Sequence, residues 1–262
     1  LWGILLVHVF GHPARLDRFT ELSKAYNLTL VEDACEALGS FYKGKHVGKF
    51  GKMGVFAFYP NKQITTGEGG LVVSEDERLV ELVKSLRNQG RASMSNPWLE
   101  HVRLGYNYRM DEMSAALGYS QLRRLEEMRK RRRELFNLYN ELLSEVEEVE
   151  TPPEKPYADV NPFVYVIKVR GVDRDALMDY LRSRGVETRP YFTPIHLQPF
   201  YRERFRVKLP ITEDLGRRSL ALPFFNQLGE EEARYVVEVL KGGVIHAGGK
   251  RNRISGDKTH SP

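Results

Sequence analysis

The sequence predicts an α/β fold in which a parallel sheet forms the first part of the chain. Residues 4–10 are a continuous apolar run that ends at Gly11, which is typical of a strand buried on both faces. Residues 16–26 carry apolar side chains at helical spacing, and residues 28–31 form a second short apolar run. A strand, a helix and a strand in this order predict a βαβ unit with parallel strands.

Further elements follow at regular intervals. Residues 55–58 and 70–73 predict two more strands on either side of a polar turn, and residues 79–87 predict a helix. Residues 111–147 predict one long helix, because they contain no proline and Gly118 is their only glycine. The basic run at residues 130–133 alternates with glutamates at helical spacing, so we expect a solvated helix face rather than a nucleic-acid patch.

Prolines at positions 152, 153 and 156 mark a linker. We therefore predict a large domain over residues 1–150 and a small α+β domain over residues 151–242. Residues 243–262 are rich in Gly, Lys, Arg and Ser, which predicts a disordered tail.

Composition excludes several classes of protein. Hydrophobic residues make up 41% of the 262 residues, which excludes a wholly disordered chain, and the formal charge of +5 suits anionic small molecules without identifying them. The single cysteine cannot form an internal disulfide, and no apolar stretch is long enough to span a bilayer, so we expect a soluble, cytoplasmic protein. The seven histidines lack metal-ligand spacing, and the motifs of serine hydrolases and P-loop enzymes are absent from the sequence.

Lys62 lies in the stretch VFAFYPNKQITTGEGG, just after a predicted buried strand. Ligands bind parallel sheets at the carboxyl ends of the strands, and a lysine desolvated there is a nucleophile toward carbonyl groups. Gly67, Gly69 and Gly70 allow positive φ angles and the close approach of a ligand. On these residues alone, an exposed lysine in a hairpin-like connection is the alternative.

Asp33 ends the second predicted strand, where its carboxylate is placed to accept a hydrogen bond from a protonated ring nitrogen or to cap a following helix. Glu36 follows one turn later and is expected to face the same crevice. Between them, Cys35 is expected to pack rather than to react. Asn107 and Arg109 precede the long helix and suit anion recognition, although Asn107 or Asp111 would equally serve as its cap.

The chain resembles the sugar aminotransferases of the DegT family, which are pyridoxal-phosphate enzymes of fold type I, over residues 4–240. The motifs that carry the resemblance are VEDACEALGS, GKFGKMGVFAFYPNKQITTGEGG, LRNQGR, LGYNYRMDEMSAALG, RPYFTPIHLQPFY and LPITEDLGRRSLALPF. The resemblance implies a large domain with a three-layer, mostly parallel sheet and a small C-terminal α+β domain. It also favours the functional interpretation of Lys62 and Asp33 over the alternatives above.

The resemblance implies a role for each candidate residue. Lys62 matches the lysine that forms a Schiff base with the cofactor pyridoxal 5′-phosphate and carries a proton to and from the substrate carbon. Asp33 matches the aspartate that keeps the pyridine nitrogen protonated. Glu36 falls where members carry a polar residue near the 3-hydroxyl of the cofactor.

Asn107 matches a residue that reaches the cofactor phosphate from the partner subunit, which implies a homodimer with shared active sites. Arg109 supports that loop or binds the anionic substrate, and Tyr191 and His196 border the nucleotide-sugar site. The implied reaction moves an amino group, from glutamate as the expected donor, to a keto group of a nucleotide-linked sugar. Such a reaction belongs to amino-sugar and cell-surface polysaccharide biosynthesis, and neither membrane nor nucleic-acid binding is expected.

The sequence also departs from the family pattern. Ala57 stands where many members have a serine that binds the phosphate, whereas Lys62 separates the chain from relatives with a histidine there, which act as dehydratases. The N-terminal section that precedes the first strand in the family is missing, so we expect a fragment of a longer reading frame. The alternative is a catalytically incompetent chain, or a regulatory or oligomerisation module of the same fold.

Overall fold

A computed structural model describes residues 1–92 and 100–254 of the chain. Its strands are β1 (Gly3–Val7), β2 (Thr29–Asp33), β3 (Phe41–Tyr42), β4 (Lys45–His46), β5 (Met53–Ala57), β6 (Gly70–Val73), β7 (Val149–Glu150), β8 (Ala158–Asp159), β9 (Tyr165–Val169) and β10 (Ser219–Leu222). Its α-helices are α1 (Leu16–Ala25), α2 (Glu77–Arg87), α3 (Glu112–Leu122), α4 (Leu125–Leu143), α5 (Arg174–Arg182), α6 (Pro199–Arg202), α7 (Pro210–Arg218) and α8 (Glu230–Ile254).

The principal sheet has the strand order β1-β2-β5-β6. β1, β2 and β5 are parallel, and β6 is antiparallel to β5, so the predicted α/β fold with a mostly parallel sheet is confirmed. β1 ends at Val7 rather than at Phe10, because Val9–Gly11 forms a 3-10 turn. Leu5 is 69% exposed, so the prediction of a first strand buried on both faces is wrong.

A buried carboxylate fastens the loop between β4 and β5 to the sheet. Glu32 of β2 is fully buried, and its Oε1 accepts hydrogen bonds from the N–H groups of Phe50 (2.6 Å) and Gly51 (2.7 Å). Its Oε2 accepts the N–H of Gly48 at 2.7 Å and lies 3.0 Å from His8 Nε2. We refer to these five residues as the Glu32 cluster.

The hydrogen bonds of His8 determine where its proton lies. The N–H of Ala14 donates to His8 Nδ1 at 3.1 Å, so Nε2 carries the proton and donates to Glu32. Burial pushes the pKa of Glu32 upward, but the hydrogen bonds from His8 and from three backbone N–H groups outweigh burial and leave this pKa below its ordinary value. The charged carboxylate is therefore the form that the folded chain stabilises.

The long helix predicted over residues 111–147 is two helices, α3 and α4, so that prediction is wrong. The ladder of i→i−4 hydrogen bonds is interrupted at Arg124. Its N–H donates to the carbonyl of Gln121, three residues earlier, instead of to the carbonyl four residues earlier. Neither glycine nor proline marks the break, and the helical periodicity on both sides hides it.

The chain forms two compact units, one of residues 1–130 and 155–163, the other of residues 131–154 and 164–262. The structure thus divides the chain within α4, whereas the sequence places the boundary between residues 150 and 151. The reason is that Leu135, Phe136, Tyr139 and Leu143 of α4 are core residues of the second unit. The division at 1–150 and 151–242 stays a prediction for the whole protein.

The basic run at residues 130–133 is not a uniformly solvated helix face, contrary to expectation. Arg132 is 6% exposed, and burial lowers its pKa to about 10. Arg131 donates to the carbonyls of Asn226 (3.4 Å) and Leu228 (2.7 Å) within the second unit. Arg132 thus packs in the interior, and Arg131 hydrogen-bonds to backbone carbonyls. A pattern of charges in the sequence does not reveal either arrangement.

The second unit contains a three-stranded antiparallel sheet in the order β10-β9-β7, packed with α5 and α8. The prediction of a disordered tail over residues 243–262 is wrong for residues 243–254, because α8 continues to Ile254; residues 255–262 lie outside the described residues. Val244 and Ala247 extend the buried side of α8 and belong to the core. Across the described residues, the helices are either too short or too polar to cross a membrane.

Candidate active site

Several of the predicted site residues lie at the carboxyl edge of the principal sheet. Asp33 is the last residue of β2 and is in register with Val7 of β1 and Val55 of β5. The segment that follows β5, residues 58–69, leaves the sheet at the same edge and carries Lys62. We call this segment the lysine loop.

The lysine loop is closed by its own backbone and fastened to α3. The N–H of Phe58 donates to the carbonyl of Gly69, and the N–H of Thr66 donates to the carbonyl of Phe58, both at 2.9 Å. The side-chain amide of Gln121 accepts from the N–H of Thr65 (3.2 Å) and donates to its carbonyl (2.7 Å). The glycine at the end of the loop allows the backbone to close it, because Gly69 has a φ of +156°, a conformation that glycine adopts readily.

Lys62 is largely buried although it lies in a loop. Its side chain is 15% exposed, and its Nζ lies 3.6 Å from Glu36 Oε1 and 4.4 Å from the ring centroid of Phe163. Lys62 and Glu36 thus face the same crevice, whereas the sequence predicts a shared crevice only for Glu36 and Asp33. Phe163 forms a further wall that the sequence did not identify. An amine in this setting has little water around it and a carboxylate within reach.

Asp33 caps no helix, because residues 34–40 form turns. Its Oδ1 accepts the N–H of Cys35 at 3.1 Å, which orients the carboxylate at the end of the strand. Burial, followed by the hydrogen bond and negative charge of Asp33, raises the pKa of the Cys35 thiol to about 12; the charge of Lys62 opposes this rise and that of Glu36 adds to it. Cys35 is therefore electrostatically coupled to all three candidate residues and is itself held as an unreactive thiol.

Asp111, and not Asn107, caps α3. Asp111 accepts the N–H of Ser114 at 2.9 Å, whereas Asn107 Oδ1 accepts from Arg109 Nε at 2.8 Å. Both Asn107 and Arg109 are exposed. The amide of Asn107 is thus oriented by an arginine on the surface of the first unit.

Tyr191 and His196 belong to the second unit. His196 is 8% exposed, and its Nε2 lies 3.1 Å from Glu213 Oε1. The ring of Tyr191 lies 4.3 Å from that of Phe192. His196 is therefore held in place by a carboxylate, while the aromatic pair lies in the segment just before it.

Sequence reasoning missed Phe163 and Phe10. Phe163 begins an apolar run that is typical of a strand, yet it lies before β9 and its ring faces Lys62. The apolar pattern predicts Phe10 as the end of the first strand, yet its N–H donates to Glu36 Oε2 at 2.8 Å. Both residues act through contacts distant in sequence, for which the apolar pattern contains no signal.

Comparison with known proteins gives a consistent result. The family model described as the DegT/DnrJ/EryC1/StrS aminotransferase family matches residues 2–241. The GDP-perosamine synthase of Escherichia coli O157:H7 is 39% identical over 239 residues, which are 90% of this chain and 64% of that protein. The chain spans 62% to 66% of the length of the curated relatives it matches.

Solved structures agree with this match. DesI, solved in the presence of its TDP-sugar product, has a TM-score of 0.86 at 29% identity, with 97% of this chain and 65% of that one covered. Spr1654 of Streptococcus pneumoniae in its PMP-form has a TM-score of 0.88 at 22% identity, with 96% and 70% covered, and it has also been solved in a PLP-form. The fold expected from the resemblance is thereby confirmed.

Proposed function

Because the chain belongs to the DegT/DnrJ/EryC1/StrS aminotransferase family, we propose that it is a pyridoxal-phosphate-dependent sugar aminotransferase. It moves an amino group, from glutamate, to a keto group of a nucleotide-linked sugar, in the synthesis of amino sugars and cell-surface polysaccharides in the cytoplasm. The observation that carries the proposal is Lys62, a largely buried amine at the carboxyl edge of the sheet, 3.6 Å from the carboxylate of Glu36, with Asp33 at the end of the strand beside β5. A relative that makes GDP-perosamine and a structural neighbour that holds a TDP-sugar product support the substrate class.

The residues at this edge fit pyridoxal 5′-phosphate, the cofactor of the family. The aldehyde of the cofactor requires an amine, which Lys62 offers at Nζ, and its pyridine nitrogen requires a carboxylate. Across residues 1–92 and 100–254, Asp33 forms no ion pair, so its charge is available for that nitrogen. When bound, the cofactor supplies an electron-accepting ring that stabilises a carbanion at the substrate carbon.

Each residue then has a distinct task. Asp33, oriented by the N–H of Cys35, keeps a proton on the pyridine nitrogen. Lys62 accepts a proton from the substrate carbon at Nζ and returns it, a transfer that requires the amine within hydrogen-bond reach of that carbon. Glu36 holds the amine on one side and would meet the 3-hydroxyl of a bound cofactor. Ala57 offers no hydroxyl to the phosphate, which costs one hydrogen bond of about 1 kcal/mol.

A homodimer with shared active sites completes the proposal. α3 has no buried residue, and Met113 (84% exposed) and Tyr119 (66% exposed) form part of an apolar surface on it. Exposed apolar patches of this kind mark protein interfaces. Asn107, which precedes α3, reaches the cofactor phosphate of the partner subunit, with Arg109 orienting it. In the small domain, Tyr191 and His196 border the nucleotide-sugar site.

The cofactor assignment is tested by trapping. The chain is incubated with pyridoxal 5′-phosphate and reduced with borohydride, and the modified lysines are identified by peptide mass spectrometry. We expect the adduct on Lys62 in the natural chain and in the control K49R, since Lys49 is 53% exposed and lies outside the site, and no adduct at position 62 in K62R. A natural chain with no adduct on Lys62 at saturating cofactor contradicts the proposal.

The shared site is tested by complementation. K62A and N107A each disable one half of every site in a homodimer, but a mixed dimer retains one site with both residues intact. We expect mixing to restore up to about one quarter of the natural activity, since mixed dimers make up half of the population and have one intact site each. Activity that stays at the level of the separate variants, in a mixture shown by mass spectrometry to contain mixed dimers, argues against a contribution from the partner.

A further inference from the structure

The amine of Lys62 has two unlike neighbours. Glu36 Oε1 lies 3.6 Å from Nζ, and the ring of Phe163 lies with its centroid 4.4 Å from Nζ. A carboxylate attracts an ammonium by charge, and the face of an aromatic ring attracts it through the ring quadrupole. Phe163 is 2% exposed, so water does not screen this second attraction.

One residue fixes both neighbours through its backbone. The N–H of Phe10 donates to Glu36 Oε2 at 2.8 Å, and its carbonyl accepts the N–H of Phe163 at 3.2 Å. Phe10 has a φ of +59°, which is uncommon for an aromatic residue and is kept only where the surroundings enforce it. Gly11 follows with a φ of +88°, and a Cβ there would lie 2.5 Å from the carbonyl oxygen of Asn161.

The neighbour of Lys62 in sequence joins the same arrangement. The side-chain amide of Gln63 donates to the carbonyl of Glu36 at 2.5 Å and to the carbonyl of Asn161 at 3.4 Å. Asn161, which is fully buried, also donates from Nδ2 to the carbonyl of Leu38 at 2.8 Å. The backbones that carry Glu36 and Phe163 are therefore tied to each other and to the lysine loop.

We propose that Phe163 and Glu36 are positioning residues that hold the Lys62 amine between them, with the backbone of Phe10 setting their separation. The proposal rests on the proposed function, because it assigns the place of the amine that the cofactor meets. Both neighbours attract the amine in the cofactor-free chain, so together they restrain the position of Nζ in the crevice. Phe163 acts only through Lys62, and Glu36 has this positioning task in addition to the contact proposed above with the 3-hydroxyl of the cofactor.

The test measures the reactivity of Lys62 in the cofactor-free chain. Acetic anhydride modifies only the unprotonated amine, so the rate of acetylation as a function of pH, read by peptide mass spectrometry, reports how firmly the ammonium is held. Lys49 is the internal reference, because its ion-pair partner Glu75 is distant from Lys62 in the fold and 81% exposed. E36Q removes the charge but keeps the shape of the side chain, F163L removes the ring, and F163Y retains it.

We expect E36Q to raise the acetylation rate of Lys62 at pH 7.5 about tenfold, because it removes the carboxylate charge that lies 3.6 Å from Nζ. F163L raises the rate about threefold, and F163Y restores the natural value. The rate at Lys49 stays unchanged in every variant. A Lys62 profile in E36Q that matches the natural chain within twofold at every pH overturns the proposal, even if F163L does not fold.

The failure of this proposal is distinguishable from the failure of the proposed function. A natural chain that forms no pyridoxal adduct on Lys62, but whose acetylation responds to E36Q, loses the aminotransferase function and keeps the positioning residues. A chain that forms the adduct but whose acetylation ignores both substitutions keeps the function and loses the positioning residues.

Discussion

Replacing Glu32 by glutamine is expected to destabilise the first unit strongly. The substitution keeps the size of the side chain, but an NH₂ group takes the place of one carboxylate oxygen. Oε1 accepts two hydrogen bonds, from Phe50 and Gly51, and Oε2 accepts two, from Gly48 and His8. Whichever oxygen the NH₂ group replaces, two N–H donors lose their acceptor and face the NH₂ group, which is itself a donor.

The magnitude follows from the number of groups affected. Two hydrogen bonds to a charged acceptor are lost, and the remaining two become bonds to a neutral one. At about 1–3 kcal/mol for each buried donor left unsatisfied, the free energy of unfolding falls by about 3–5 kcal/mol. Such a loss is a large share of the stability of an ordinary domain, which is about 5–15 kcal/mol.

Urea unfolding at pH 7, followed by far-UV circular dichroism, measures the loss. Amide hydrogen exchange at Gly48, Phe50 and Gly51 localises it to the first unit, since the second unit has a core of its own. The matched control is E21Q on α1, where Glu21 is 68% exposed beside Arg18 and contributes less than about 1 kcal/mol. A loss below about 1 kcal/mol in E32Q would refute the reasoning.

The same cluster gives a pH dependence whose sign is determined. The pKa of Glu32 is lower in the folded chain than the ordinary glutamate value of about 4.3. Its contribution is therefore complete above the unfolded pKa and is lost as the pH falls through the folded pKa. The stability difference between the natural chain and E32Q should shrink below about pH 4, and a difference that stays constant down to pH 2 contradicts this assignment.

Three further predictions concern other parts of the chain. Because the pKa of Cys35 is raised to about 12 from 9.0, its alkylation by iodoacetamide at pH 8 should be about a thousandfold slower than in the urea-unfolded chain, and a rate within tenfold contradicts the assignment. A Cβ at Gly243 would lie 2.6 Å from the nearest side-chain atom, whereas Gly248 has nothing within 4 Å, so G243A should unfold at lower urea than G248A, and the reverse order refutes the packing argument. Removing the amide in Q121A should speed hydrogen exchange at Thr65 about tenfold without affecting Gly48, and unchanged exchange would show that the lysine loop does not depend on α3.

Sequence reasoning succeeded where a local pattern and a fold rule coincide. Asp33 and Lys62 each follow an apolar run, and parallel strands bring their carboxyl ends to one edge, so the placement of both residues at that edge was predictable. The pairing of Lys62 with Glu36 was not predicted, because the spacing in the sequence relates Glu36 only to Asp33. Their roles in the reaction stay predictions.

The rest depends on contacts that no local pattern records. Phe163 lies far from Lys62 in sequence, and an aromatic residue at the start of an apolar run looks like any strand residue. The helical end of α8 was hidden because its glycines dominate the composition, although Val244 and Ala247 continue the buried side. Arg132 looked solvated because its burial is set by the core of the second unit and not by its neighbours in sequence.

The closed geometry of the lysine loop separates chemistry from stability. Since the loop begins and ends on hydrogen bonds among Phe58, Thr66 and Gly69, the sheet does not depend on the side chain at position 62. The reactive side chain at position 62 can therefore be replaced while the sheet stays folded. A single substitution at such a position changes the chemistry that a fold performs without first having to be compensated for lost stability, in evolution as in the laboratory.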